Sequence, residues 1–125
     1  MNVAYDAGVL IAADRDERDV WAAHRARLEA GVVPVTTAPV VAQVSRSEVQ
    51  VPLRRFLRGC EVVAFTAVAA HPVGLLLGSA GTADVVDAHL VVEAAGRSAT
   101  VVTSDPTDLR RLAAWLPVAV PVRPV

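Results

Sequence analysis

Short β-branched runs alternate with longer stretches rich in Ala, Leu and Arg, and this alternation restricts the fold more than any other feature of the chain. The pattern is typical of βα units that wind a parallel sheet. It predicts strands near 2–5, 33–37, 61–65, 99–103 and 118–122. It predicts helices near 8–12, 16–30, 39–47, 50–58, 67–78, 83–95 and 106–114. We therefore expect an α/β fold with a central parallel sheet.

Length and composition agree with buried parallel strands in one domain. The 125 residues are enough to bury a sizeable core without disulfides or metals. Hydrophobic residues make up 54% of the chain and aromatic residues only 4%, so the core must consist mainly of Val, Ala and Leu. Runs rich in Val are typical of strands that are covered on both faces.

Three local features refine the segmentation. Trp21 and Leu28 fall at helical spacing and are predicted to face the core. Pro72 should kink the helix at 67–78 or delay its start until after His71, because proline lacks the N–H that an inner helical turn needs. The tail, Pro117–Val125, has prolines spaced through valines, which suits an edge strand and no other.

Charge and cysteine content exclude several classes of protein. The net charge of −1 argues neither for nor against a polyanionic partner. Cys60 is the only cysteine, which excludes an internal disulfide and a cysteine-based zinc cluster. The N-terminus has no basic region before an apolar segment, and no stretch of about eighteen uninterrupted apolar residues occurs. We therefore expect a cytoplasmic protein.

Four aspartates fall where predicted strands end or a predicted helix begins. Asp6 ends the first strand, and Asp105 follows the strand at 99–103. Asp84 and Asp87 are predicted to share one face of the helix at 83–95. Ligands of an open α/β sheet bind beyond the carboxyl ends of the strands, so we expect these side chains to meet there. Carboxylates without matching bases form a site for a hard divalent cation.

Each aspartate also has a purely structural interpretation. Asp105 could be a helix N-cap followed by proline, and Asp84 could only complement a helix dipole. Asp6 has no capping role unless a helix begins near Gly8. Asp87 lies beside apolar residues on the core side of its helix. A cation bound by all four would also leave nine acids against twelve arginines, a net charge of +3 that is compatible with RNA.

The other polar side chains indicate no second catalytic site. The histidines lack metal-ligand spacing and are predicted to be structural or exposed; they are His24, His71 and His89. No glycine-rich phosphate loop and no serine triad is present. Three arginines form one basic helical stripe, which is either a solvated face or a contact for phosphate or a partner; they are Arg54, Arg55 and Arg58.

Three segments carry a resemblance to a known family: Asp6–Ala13, Asp87–Ala94 and Val101–Leu109. They resemble the first, third and last signatures of the PIN domain, in its VapC-type toxin branch. The match runs essentially end to end, in the right order and spacing, and the Thr-Ser-Asp ending at 103–105 is fairly specific. The resemblance implies one PIN-like domain, 1–125, with a three-layer α/β/α fold and the sheet order 3-2-1-4-5.

The same resemblance implies an activity. It implies a Mg²⁺- or Mn²⁺-dependent endoribonuclease, usually a homodimer, that acts as a toxin and is neutralised by a small VapB-type antitoxin. In that role Asp6 and Asp87 are expected to be the principal catalytic and metal-binding carboxylates. Asp84 and Asp105 are expected to act directly or through waters on the metal. One or two such ions can activate a water and neutralise the phosphate of RNA.

One departure from the family concerns the helix after the second strand. The family usually has a Glu there, and this chain has Gln43. A neutral amide can hydrogen-bond a water on the metal but supplies no charge. Asp84 is an extra acid that could offset the loss, whereas Glu48 lies about 140° round a helix and is a poor substitute.

Two other functions remain open at this point. A PIN fold with a weakened metal site could act only by holding RNA or its antitoxin, which Gln43 favours. A receiver-type phosphoacceptor also needs aspartates at strand ends, but it requires a lysine that this chain lacks. An antitoxin helix could bind an apolar groove that includes Trp21 and Leu75–Leu77; alternatively these residues all belong to the core.

Overall fold

The computed structural model describes residues 1–125 and contains one five-stranded sheet and seven helices. The strands are β1 (Asn2–Tyr5), β2 (Val35–Thr37), β3 (Glu61–Val63), β4 (Ala99–Thr103) and β5 (Val122–Pro124). The helices are α1 (Ala7–Asp14), α2 (Arg18–Glu29), α3 (Ala38–Val44), α4 (Val51–Leu57), α5 (Ala67–Ala80), α6 (Val85–Gly96) and α7 (Pro106–Ala113). All strand pairs are parallel and the order is β3-β2-β1-β4-β5. The predicted sheet order is therefore confirmed.

Two apolar clusters lie on opposite faces of the sheet, because successive strand residues point to opposite sides. On β1, Ala4 faces one cluster while Val3 and Tyr5 face the other. Helices α5, α6 and α7 supply the first cluster, and α1 to α4 supply the second. This arrangement gives three layers, as the resemblance predicted.

Helix α5 is continuous from Ala67 although it contains Pro72. Its start is set by Thr66, whose hydroxyl accepts a hydrogen bond from the Ala69 N–H at 3.2 Å. The predicted delay of this helix is therefore wrong. Pro72 cannot donate to the carbonyl of Val68, but Val68 is 86% exposed and water can hydrate that carbonyl.

The predicted elements differ from the structure mainly at their ends. The strand expected at 118–122 is β5 at Val122–Pro124, still at the edge of the sheet. Leu28 is 38% exposed, so its prediction as a core residue is wrong. The inner face of α2 consists instead of Val20 and His24, which are four residues apart and buried. Trp21 is half-buried at the edge of that face.

A single groove lined by Trp21 and Leu75–Leu77 is not formed. Trp21 packs with α1 and α4, whereas Leu76 and Leu77 pack on the other side of the sheet. Leu75 is 60% exposed and Leu76 is buried, since they point to different sides of α5. The prediction of one apolar groove is therefore wrong.

No single helix combines the length and the apolar composition needed to cross a membrane. Only α5 and α6 taken together pass that test, and they are bent by 114° at their junction.

Candidate functional site

Asp6 lies at the carboxyl end of the central strand and begins the next helix. Its Oδ1 accepts a hydrogen bond from the Val9 N–H at 3.3 Å, so the side chain caps α1. The other carboxylate oxygen, Oδ2, accepts a hydrogen bond from the hydroxyl of Thr103. Asp6 is only 7% exposed. Capping therefore accounts for one oxygen of Asp6, while the second is bonded to the neighbouring strand.

Thr103 connects two of the four aspartates. It is the last residue of β4 and is fully buried. Its hydroxyl donates to Asp6 and accepts a hydrogen bond from the Asp105 N–H at 2.9 Å. The adjacent Ser104 packs tightly on Gly8, where an added Cβ would lie 1.8 Å from the Ser104 Oγ. The turn after β4 is therefore fixed directly against the start of α1.

Asp105 is at the N-cap position of α7 but does not act as a cap. Pro106 follows as the first helical residue, as the sequence suggested. The Asp105 side chain, however, makes no capping hydrogen bond and is exposed. Its backbone N–H is the group that is bonded, to Thr103. The structural interpretation of this aspartate is not supported, and its carboxylate is free to bind a ligand.

Asp84 and Asp87 meet at the start of α6 in a different way from the one predicted. The helix begins at Val85, so Asp84 precedes it as the N-cap and does not share a helical face with Asp87. The Asp84 Oδ1 accepts a hydrogen bond from the Asp87 N–H at 3.0 Å. The prediction of a shared face is wrong because the Asp84 side chain bonds to this N–H, so that Asp84 caps the helix instead of forming part of it. The two carboxylates are nevertheless brought together.

The electrostatics of these carboxylates reflect crowding of like charge. The pKa of Asp87 is raised to about 7, first by burial and then by the charge and hydrogen bond of Asp84. The charges of Asp6 and Asp108 raise it further. Burial also raises the pKa of Asp6, against the opposing effect of its Thr103 and Val9 hydrogen bonds, and Asp105 adds to the rise. These effects connect Asp84 to Asp87, Asp87 to Asp6 and Asp6 to Asp105.

Three helices begin at this edge of the sheet, and their N-termini partly offset the repulsion between the carboxylates. Asp6 precedes α1, Asp84 precedes α6 and Asp105 precedes α7. The N-terminus of a helix carries a partial positive charge and favours nearby carboxylates. A bound cation would remove the remaining repulsion.

An open cleft of about 730 Å³ extends from two of these carboxylates along α7. Asp84 and Asp87 line one end, and Asp108 and Arg111 line the wall formed by α7. The side chain of Arg111 makes no hydrogen bond or ion pair with any other residue. Neither Asp108 nor Arg111 was predicted to belong to the site. Their spacing of three residues, which places side chains on one helical face, was the available signal.

The donor set fits a hard divalent cation in its chemistry. The cluster offers carboxylate oxygens, which Mg²⁺ and Mn²⁺ prefer, and contains no histidine or cysteine. As the side chains stand, no three acidic, histidine or cysteine side chains converge closely enough to enclose an ion. Mg²⁺ usually retains several waters and needs only one or two direct carboxylates.

The remaining sequence candidates take other positions. Gln43 is exposed on α3 and makes no hydrogen bond. His24 is buried and bonded through Nδ1 to the Tyr5 hydroxyl at 2.9 Å, and His89 is buried against Phe65. These two histidines are structural, as predicted.

Comparisons with known proteins show the fold. No protein-family model and no curated protein matches the chain. A chain in the crystal structure of VapBC2 from Rickettsia felis, bound to a DNA fragment from their promoter, is similar with a TM-score of 0.75 and 20% identity, over 100% of this chain and 99% of that chain. PAE2754 from Pyrobaculum aerophilum is similar with a TM-score of 0.61 and 18% identity, over 97% of this chain and 92% of that chain.

Proposed function

We propose that this chain is a metal-dependent endoribonuclease that acts as the toxin of a toxin–antitoxin pair. The observation that carries the proposal is the crowding of carboxylates at the carboxyl edge of the sheet, where the pKa of Asp87 is raised to about 7. Perturbed carboxylates in a cleft are typical of functional sites. The shared fold with a chain of a VapBC2 complex and the resemblance of three motifs to VapC-type PIN domains support the same function.

The residues that would hold Mg²⁺ or Mn²⁺ are Asp6, Asp84, Asp87 and Asp105. When bound, such an ion neutralises a phosphodiester and lowers the pKa of a water for attack on phosphorus. Asp87 and Asp84 supply carboxylates from the start of α6, and Asp6 supplies one from β1. Asp105 supplies an exposed carboxylate that has no other partner.

The supporting residues act by positioning. Thr103 holds one oxygen of Asp6 and the backbone of Asp105, which limits the orientations that both aspartates can take. The Val9 N–H holds the other oxygen of Asp6. Preorganised donors of this kind reduce the reorganisation needed when charge develops. Arg111, the arginine that lines the cleft, would hold the RNA backbone without reading its sequence.

The proposed function includes its partners and its place in the cell. RNA is the substrate, and a small VapB-type antitoxin is the neutralising protein. We expect the chain to form a homodimer and to act in the cytoplasm. Expression of the chain alone should slow growth, and co-expression of the adjacent small gene should restore it.

The test compares metal binding and RNA cleavage in matched variants. Asp84→Asn removes a charge but keeps the N-cap, because Asn caps helices as well as Asp does. We expect Asp84→Asn and Asp87→Asn each to weaken Mn²⁺ binding in calorimetric titration by about tenfold, through loss of Coulomb attraction. Asp6→Asn and Asp87→Asn should abolish cleavage of a fluorescent RNA, and EDTA should stop the wild-type protein.

The control is Glu29→Gln, an exposed acid at the far end of α2. It should change neither Mn²⁺ binding nor cleavage. RNA cleavage that continues in EDTA, or in a variant lacking both Asp6 and Asp87 carboxylates, contradicts the metal mechanism.

Gln43 favours a second function, in which the chain only binds RNA or its antitoxin. This chain has a neutral side chain at the position where the VapC-type PIN domains that it resembles usually have an acid. Gln43→Glu is the discriminating variant. If the wild-type protein neither binds Mn²⁺ nor cleaves RNA until this substitution is made, the natural protein is a binder; if the wild-type protein cleaves, it is the enzyme.

A further inference from the structure

Trp115 is exposed at the end of the carboxylate cleft. It follows α7, where its backbone N–H is bonded to the Leu112 carbonyl at 3.1 Å, and its side chain is 59% exposed. The indole N–H has no partner. The other tryptophan, Trp21, is half-buried and donates its indole N–H to the Ala13 carbonyl at 3.0 Å. Exposure of so large an aromatic surface in a cleft is typical of a binding site.

Residues of α7 and of the turn that follows it line the cleft between the carboxylates and this indole. Asp108 and Arg111 are three residues apart on one face of α7. Trp115 lies in the turn after the C-cap Ala114 and lines the same cleft. A ligand bound at the carboxylates can therefore extend along α7 and reach the indole.

Arg111 lies between the carboxylates and Trp115 and forms no ion pair. A guanidinium with free donors can hold a phosphate in a bidentate geometry. The apolar contribution of the same wall comes from Leu112 and Ala114. The cleft thus offers the guanidinium of Arg111 for a phosphate and the flat indole of Trp115 for a base.

We propose that Trp115 and Arg111 form a nucleotide subsite beside the carboxylates, in which Trp115 stacks on an unpaired base and Arg111 holds the adjoining phosphate. This inference rests on the proposed function and assigns two residues outside the carboxylate cluster to holding its RNA substrate. Bases in a duplex are stacked on one another and cannot present a face to the indole, whereas unpaired bases stack readily on aromatic side chains. Selection here depends on strandedness rather than on sequence, because every base has a π-face.

The experiment measures RNA binding without cleavage. All variants carry Asp87→Asn, which reduces the repulsion of RNA. They are assayed in EDTA, which removes the metal. The probes are a fluorescent single-stranded RNA, its duplex, and an abasic strand with the same phosphates. Fluorescence anisotropy gives the affinity, and quenching of tryptophan emission reports contact with the indole.

Trp115→Ala should weaken binding of single-stranded RNA by about tenfold, the effect typical of one lost base–aromatic stack. Trp115→Phe should retain most of the affinity. Binding of the duplex and of the abasic strand should be weak and unaffected by Trp115→Ala. Arg111→Gln should weaken binding and reduce the dependence on salt by about one phosphate contact.

Two variants serve as matched controls. Leu75→Ala removes an apolar side chain that is 60% exposed on α5, outside the cleft. Arg123→Gln removes an exposed arginine on β5. Neither should change the affinity for single-stranded RNA.

Several results would overturn the subsite. These are an unchanged affinity in Trp115→Ala, equal binding of the abasic strand, or tryptophan emission that bound single-stranded RNA does not quench. A change of oligomeric state in Trp115→Ala with unchanged RNA affinity would show that the indole packs on a second copy of the chain.

The outcome is separable from that of the proposed function. If Trp115→Ala leaves RNA binding intact while the wild-type protein cleaves RNA, the subsite is wrong and the nuclease stands. If RNA binding depends on Trp115 while the wild-type protein does not cleave in Mn²⁺, the subsite stands and the nuclease is wrong.

Discussion

Replacing Thr103 by valine tests whether one buried hydroxyl organises the carboxylate site. Valine has the same shape as threonine, so the substitution leaves the packing at the end of β4 nearly unchanged. It removes the hydrogen bond to Asp6 and the acceptor for the Asp105 N–H. Any effect therefore comes from the hydroxyl group and not from a cavity.

The expected magnitude follows from the partners of that hydroxyl. Asp6 is 7% exposed, so its Oδ2 would be left buried without a donor. Loss of a hydrogen bond to a charged group costs about 1.5–3 kcal/mol, and the exposed Asp105 N–H can bond to water instead. We expect Thr103→Val to lower the free energy of unfolding by about 2–3 kcal/mol and the Tm by about 10 °C. The pKa of Asp6 should also rise, because this bond favours its charged form.

Thr36→Val is the matched control. Thr36 is also fully buried in the sheet, but its hydroxyl donates to the Tyr5 carbonyl at 3.0 Å and contacts no carboxylate. A neutral bond of this kind contributes about 1 kcal/mol, or about 4 °C in Tm. Thr36→Val should leave Mn²⁺ binding unchanged, whereas Thr103→Val should weaken it. Thr103→Ser, which keeps the hydroxyl, should bind Mn²⁺ as the wild-type protein does.

The assay is urea denaturation followed by circular dichroism in EDTA, with calorimetric titration of Mn²⁺ on the same samples. Equal losses of stability in Thr103→Val and Thr36→Val would refute the charge-assisted bond. Unchanged Mn²⁺ binding in Thr103→Val would refute the positioning role of the hydroxyl.

Two further predictions concern the packing around the site. Burial lowers the pKa of His24 below its usual 6.5, so the contribution of His24 to stability should be complete above about pH 6.5 and be lost as pH falls through the lowered pKa. The raised pKa values of Asp6 and Asp87 change stability in the opposite direction, so the measurement is the difference in urea unfolding from the wild-type protein: His24→Gln should remove the loss below pH 6.5, and the exposed His71→Gln should not. An unaltered slope in His24→Gln would contradict the assignment. Gly8→Ala places a Cβ 1.8 Å from the Ser104 Oγ and should cost about 1–3 kcal/mol, whereas Gly74→Ala, where the added Cβ meets nothing within 4 Å, should stabilise by about 1 kcal/mol in thermal unfolding. Equal Tm values for these two alanine variants would show that the turn after β4 yields freely.

The architecture could be predicted because the local pattern and the global fold agree. The alternation of β-branched runs with Ala- and Leu-rich stretches gave five strands and seven helices, and the structure has the same number of each. The ends were less accurate, as at β5, where prolines remove the hydrogen bonds that would otherwise mark the start of the strand. The prediction for Leu28 was wrong because helical spacing identifies the buried face of a helix but not how far along the helix the core extends.

The sequence predicted that the aspartates come to one edge of the sheet but not the detailed geometry of their side chains. The positions of Asp6 and Asp105 followed from strand ends, which a parallel sheet brings to one edge. Asp84 was wrongly predicted to lie inside a helix. An aspartate near the start of a helix can either cap it or form part of its first turn, and the sequence does not distinguish the two. The spacing of Asp108 and Arg111 places them on one helical face, but the cleft that they line could not be predicted, since it depends on how α7 lies relative to α5 and α6.

The hydrogen bond between Thr103 and Asp6 joins residues that are 97 positions apart in the chain. During synthesis from the N-terminus, β1 can pair with β2 early, but its other edge stays open until β4 has emerged. Asp6 is translated long before the strand that holds its side chain. A growing chain on the ribosome therefore carries Asp6 without an assembled site, and the proposed nuclease activity would appear only after β4 has emerged. Under the proposed function, that delay would keep the chain from cleaving the messenger RNA that is being translated.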